Sequence, residues 1–274
     1  MSMFIAATRA EFTKVFTTRI WWILLIILFS YVVLLAGGIG ALFGATSKGL
    51  LGAAQGVEGM PTSGLAPLVY SFGTTVGYVF PFLLGALATT GEFRHQTLTP
   101  TFLATPKRGI VLGAKWATLL VIGAFFGVVA LLGSVGAGSA VLAAFDIDTA
   151  LDSGDTWALI ARSVLAMALW AAIGVGLGSA VPNQVATVVI VLAFTQFVEP
   201  ILRSLGTLAD WIGDVTKWLP GAASDALVGA SFYSLAGAGG GTSLEWWQGG
   251  LVLLAIAVVV SVIGWLVTWR RDIT

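Results

Sequence analysis

Six stretches of this chain are long and apolar enough to cross a lipid bilayer, and that one feature excludes most other folds. A hydrocarbon core of about 30 Å takes about 20 apolar residues in helical form. The stretches lie near residues 20–43, 68–90, 110–132, 157–181, 184–203 and 247–269. Apolar character after the third runs on to Phe145. Only Val181-Pro182-Asn183-Gln184 separates the fourth from the fifth, so Pro182 should stop one helix and Asn183 cap the next. Composition agrees: charged residues make up 9% of the 274, against roughly 25% in a soluble domain. The 35 glycines would weaken soluble helices but let membrane helices approach closely. The fold class read here is all-α integral membrane, one transmembrane domain over residues 1–274 with six helices crossing the bilayer.

Basic residues orient the spans, because cytoplasmic segments collect Lys and Arg. Arg9, Lys14, Arg19, Arg94, Lys107, Arg108, Lys115, Arg270 and Arg271, nine of the 13, fall on one side. Lys48, Arg162, Arg203 and Lys217 fall on the other, with ten of the 13 acidic residues. The basic side is read as cytoplasmic, and an even number of spans then places both termini there. Trp21, Trp22, Trp116 and Trp269 lie at expected inner ends, and Trp157, Trp246 and Trp247 at outer ends, as interfacial rings should. The N-terminus does not read as a cleavable signal, since the first apolar run is too long for one.

Residues 1–19 precede the first span, and 3–19 read as an amphipathic interfacial helix. Phe4, Ile5, Phe12, Val15 and Phe16 are expected on one face, with Arg9, Glu11, Lys14 and Thr18 on the other. Spans one and two occupy 20–90, and residues 91–109 form the one sizeable inner loop, long enough for a short surface helix. Spans three to five occupy 110–203, the outer connection runs over 204–246, and 247–274 hold span six and the C-terminus. In the outer connection Leu205, Leu208, Trp211, Ile212, Val215, Trp218 and Leu219 make a helical stripe. Ala226–Ala238 is apolar, too short to span, and readable as re-entrant.

Much chemistry is excluded. With no Cys there is no disulfide, thiolate metal site or cysteine nucleophile. Zero net charge offers no nucleic-acid footprint. The span centres carry no ionisable residue of the kind that ion-coupled transporters use. Glu199 and Arg203, four apart near an outer end, are expected to pair structurally. Gly109 to Lys115 misses the spacing of a phosphate-binding loop, and the lone His95 has no metal or nucleophile companions. No catalytic or metal site, and no cofactor, is therefore assigned to this chain. Pro81 should kink the second span, whose Tyr70, Phe72, Tyr78, Phe80 and Phe82 make it unusually aromatic. Those rings suit ordinary packing or the wall of a path for an apolar substrate, and Phe72, Tyr78 and Phe80 are carried forward as path candidates. Phe194, Thr195 and Gln196 of the fifth span join them, the last two as polar contacts. Gly73/Gly77, Gly123/Gly127 and Gly174/Gly178 have the spacing of close helix packing, within a chain or between chains.

The inner loop carries a resemblance. Gly91-Glu92-Phe93-Arg94-His95-Gln96-Thr97, then Leu103-Ala104-Thr105-Pro106-Lys107-Arg108, then Lys115, resembles the cytoplasmic loop of bacterial type-2 ABC-transporter permeases. Arg9-Ala10-Glu11-Phe12-Thr13-Lys14 with Thr17-Thr18-Arg19 and Trp22, and Val198-Glu199-Pro200, are similar to other parts of that family. The resemblance implies an exporter permease of the bacterial inner membrane, dimeric, with two separate cytoplasmic ATPase subunits that hold ATP and Mg. It implies a coupling helix within 91–109, with Glu92, Phe93, Arg94, His95, Thr97, Pro106 and Arg108 in the coupling region, and a path lined by the second and fifth spans. Apolar, aromatic spans suit a drug, amphipathic peptide or lipid as substrate. The alternative is a non-transporting membrane protein that binds a hydrophobic peptide, as an immunity factor would.

Overall fold

The computed structural model describes residues 2–50, 64–206, 209–230 and 244–269, and every regular element among them is helical. Helix α1 covers Met3–Thr17, α2 Ile20–Ser47, α3 Leu65–Thr75, α4 Val79–Arg94, α5 Leu98–Ala104 and α6 Arg108–Ala144. Helix α7 covers Gly154–Ala180, α8 Gln184–Ala193, α9 Glu199–Leu205, α10 Asp210–Thr216, α11 Pro220–Val228 and α12 Trp246–Gly264. Two π-helical turns, Phe194–Val198 and Trp265–Trp269, join α8 to α9 and end α12. Among the described residues six helical stretches have the length and hydropathy of spans: Ile20–Ser47, Leu65–Arg94, Arg108–Ala144, Gly154–Ala180, Gln184–Leu205 and Trp246–Trp269. The chain is a multi-pass membrane protein, and the expected spans are found within a few residues except the third, which runs on 12 residues past its expected end to Ala144.

The boundaries follow local chemistry. Asn183 starts α8 by accepting from the amides of Val185 and Ala186 through its side chain. The third span continues to Ala144, so its long apolar run is one helix. The second span breaks earlier than Pro81 suggested. Helix α3 ends at Thr75, the chain turns over Val76–Tyr78, and Pro81 sits in the first turn of α4. There the missing N–H costs little, because the first-turn amides have no intrahelical partner.

Helix α7 is the axis of the bundle, with α4, α6 and α12 packed around it. Glycine lets these backbones meet: a Cβ on Gly174 would stand 2.2 Å from the Phe82 carbonyl oxygen, and one on Gly85 equally close to that of Ala171. A Cβ on Gly123 would likewise strike Ala171 and Met167. The Gly123/Gly127 and Gly174/Gly178 pairs thus serve packing inside one chain. Helix α2 lies against α6 and α3, and α8 touches mainly α4. The outward faces of α2, α8 and α12 expose Val, Ile, Leu and Phe, as helices bathed in hydrocarbon do.

Helix α1 forms where expected, and its buried side mixes members of the two expected faces. Phe4, Ile5 and Phe16 are exposed, while Glu11 and Val15 are buried against the bundle. Glu11 turns inward because the cationic Lys115 of α6 stands beneath it. Helix α10 exposes Trp211 and Val215, and Trp218 just after it is exposed as well, part of the expected stripe. Leu208, Gly239-Gly240-Gly241 and most of Ala226–Ala238 lie outside the described residues, apart from the end of α11 and the two residues after it.

Candidate functional site

At the basic end of the bundle four charged side chains from three separate segments converge. Lys115 of α6 is fully buried, with Nζ 2.5 Å from Glu11 Oε2, 3.1 Å from Glu92 Oε1 and 3.3 Å from the Ala88 carbonyl oxygen. Lys14 Nζ closes the square, 2.6 Å from Glu11 Oε1 and 2.7 Å from Glu92 Oε1. Two lysines balance two carboxylates, so a network that would be costly to bury as single ions is locally neutral. Burial alone would raise the Glu11 carboxyl, but the charges of Lys115 and Lys14 outweigh it and hold the group below its ordinary 4.5. Burial likewise opposes the charged form of Lys14, yet Glu92 and Glu11 hold the amine above its ordinary 10.5. Glu92 Oε2 is buried with no hydrogen-bond partner among the described residues.

From Glu92 the chain turns sharply into the loop. Thr97 N–H donates to the Glu92 carbonyl at 3.0 Å and Gln96 N–H to that of Phe93 at 3.3 Å. This double closure normally ends on glycine, but here Gln96 takes the left-handed position at φ 55°. A non-glycine residue there costs about 1 kcal/mol, and such strain gathers at functional turns. The turn throws α5 across the end of the bundle. Its Leu98, with Val111 of α6 and Trp269, makes a small core separate from the main one, flanked by Phe93 and Phe102.

The residues expected in the coupling region therefore divide. Arg94, His95, Thr97 and Pro106 are exposed along the loop. Glu92 is buried in the ionic square and Phe93 half-buried beside the small core. Arg108 turns inward: its Nη1 donates to the Trp269 carbonyl at 2.5 Å and its guanidinium lies 5.0 Å over the Phe102 ring.

The path candidates divide as well. Gln196, in the π-turn of the fifth span, donates to the Tyr78 hydroxyl at 2.7 Å, where the second span breaks. Tyr78 packs against Trp170 with ring centroids 4.3 Å apart and the planes tilted by 32°. The two helical irregularities therefore face one another, a placement common at functional sites. Phe80 lies 6.4 Å from Tyr31 between ring centroids, and Thr195 is buried with its hydroxyl returned to the Val191 carbonyl at 2.8 Å. Phe72 is buried and Phe194 half-buried.

The expected Glu199–Arg203 pairing takes another form. Glu199 accepts from the amides of Gly221 at 3.0 Å and Ala222 at 2.7 Å, at the start of α11, where Pro220 opens the helix. Arg203 reaches Asp225 of the same helix at 2.8 Å. Spacing of four made the local pair attractive, but a buried carboxylate gains more from the free amides of a helix N-terminus. Trp170 Nε1 also donates to Ser224 of α11 at 3.1 Å.

Sequence reasoning missed the ionic square, although Lys115 signalled it. A lysine one to two turns inside a span needs an anion, and Glu11 and Glu92 were the acids assigned to that side. Among the described residues no His, Cys, Asp and Glu cluster could hold a metal ion. No protein-family model matches this chain, and no curated protein matches it.

Proposed function

We propose that this chain is the membrane subunit of an ATP-driven exporter, that two copies form the path, and that separate ATPase subunits drive it. The observation that carries the reading is the braced inner loop. The loop exposes Arg94, His95 and Pro106 on either side of α5, and α5 is anchored beside both the ionic square and the Trp269 core. A surface loop that only joined two helices would not require such bracing. A soluble partner pressing on α5 would displace rigid helices.

The second and fifth spans supply the path in this reading. Gln196 is exposed on a face otherwise made of Val185, Val189, Phe197 and Ile201. A carboxamide with spare hydrogen-bonding capacity is poorly placed against hydrocarbon and well placed at a copy-to-copy interface or a wetted path. The apolar surroundings fit a hydrophobic or amphipathic substrate.

The test is copurification from native membranes in mild detergent. The reading expects a soluble subunit with a phosphate-binding loop and vanadate-sensitive ATP hydrolysis. A folded preparation that binds a hydrophobic peptide, with no such subunit expressed alongside it, would favour the sequestering protein instead.

A further inference from the structure

We propose that the last span is a rigid link between the inner loop and helix α11 on the opposite side, with Arg108 and Phe102 as the positioning residues that attach it. The proposal rests on the reading of α5 as a docking helix, because docking gives the link something to transmit.

The inner attachment is a clamp of unlike contacts. Arg108, first residue of α6, satisfies the carbonyl at the end of the π-turn Trp265–Trp269 while its guanidinium covers Phe102 of α5. The Phe102 and Trp269 rings meet edge to face, with centroids 5.5 Å apart. Trp269 is 0% exposed although it stands at the very end of its span. An interfacial tryptophan would ordinarily sit in the lipid belt. This one is instead withdrawn beneath α5, so α5 and the sixth span cannot shift independently without opening that core.

The outer attachment is a close backbone approach. A Cβ on Gly249, in the first turn of α12, would stand 2.4 Å from the Ala223 carbonyl oxygen and 2.8 Å from the Leu227 nitrogen, both in α11. The start of α12 is itself fixed by Glu245 and Gln248, each bonding the other's backbone end of the turn. The span that joins the two clamps, Trp246–Trp269, rises about 30 Å between Gly249 and Trp269. Ser261 and Gly264 interlock with Gly176 and Ser179, so the last span and α7 form one body. That body reaches α11 a second time through the Trp170–Ser224 bond. Helix α11 then holds Glu199 of the fifth span. A displacement of α5 is thereby delivered to the outer end of the fifth span without passing through the lipid-exposed α8.

Amide hydrogen exchange of the full chain in lipid nanodiscs tests the link. Arg108→Gln and Phe102→Ala are each expected to speed exchange of the 221–228 amides about fivefold, far from either substitution. Leu103→Ala, on the 80%-exposed side of the same helix, is expected to leave them unchanged. Faster exchange confined to 98–104 and 262–269 in both clamp variants would overturn the link, and so would an equal response in Leu103→Ala. Should Arg108→Gln fail to fold, Phe102→Ala decides alone. The readout needs no ATPase. A null result beside intact ATPase copurification removes the link only, and a positive result beside no ATPase removes the exporter reading only.

Discussion

Both ends of this molecule bury carboxylates, and they compensate them by opposite means. At the basic end Glu11 and Glu92 are neutralised by Lys14 and Lys115, four side chains from α1, α4 and α6. At the acidic end Glu199 is held by two backbone amides of α11, with the Arg203–Asp225 pair alongside. The first arrangement joins segments distant in sequence through long, soft side chains, and every member depends on the others. The second fixes a short helix to a span through rigid backbone groups and survives the loss of any neighbouring side chain. The basic end is thus built to be an all-or-none junction, and the acidic end a stiff cap.

The largest break expected is at Lys115. Lys115→Met leaves two buried carboxylates facing one cation and should cost about 3–5 kcal/mol, read as a collapse of the folded fraction on thermal unfolding in detergent. Adding Glu11→Gln should recover much of that loss, because the coupled pair is removed together. Additive effects of the two changes would show that the square is not one unit.

Titration breaks the same junction more gently. Glu11 lies below its ordinary 4.5, so its contribution is present above that value and lost as pH falls through its folded value. Lys14 lies above its ordinary 10.5, so its contribution is present below that value and lost as pH rises through its folded one. Melting temperature should therefore show a plateau between about 4.5 and 10.5 with falls outside both limits. Lys115→Met should lose the shape of that plateau.

Glu199→Gln keeps the shape of the outer cap but removes the charge aimed at the α11 amides, and should cost about 1–3 kcal/mol. Proteolysis or amide exchange should report loosening centred on 220–228. The smallest effect belongs to Tyr78→Phe, about 0.6 kcal/mol for one intramembrane hydrogen bond. A double-mutant cycle with Gln196→Leu should return that coupling. A coupling near zero would mean the two irregular turns are neighbours without being joined.

The spans were readable because twenty consecutive apolar residues have few alternatives to a membrane helix. The partnerships were not, because they depend on which way each helix is turned. Glu11 reads as part of the polar face of α1 until α6 places Lys115 beneath it. Glu199 has Arg203 at a favourable spacing, and only the return of the chain at Pro220 reveals the better partner. Pro81 marks irregularity in the second span, but backbone chemistry shifts the break to Val76–Tyr78, where proline can begin a helix instead of interrupting one. The inner loop motif pointed to Arg108, and tertiary packing turned that side chain towards Trp269.

The central claim is that the braced inner loop docks an ATPase, and the absence of cysteine makes one experiment direct. Single cysteines replacing His95, Pro106 and Asp214 would be cross-linked in native membranes with a short bifunctional reagent. The account predicts that His95→Cys and Pro106→Cys each capture one soluble subunit bearing a phosphate-binding loop, and that Asp214→Cys on α10 captures none. No such capture from either loop position, in membranes where the chain is folded and the subunit is present, would contradict it.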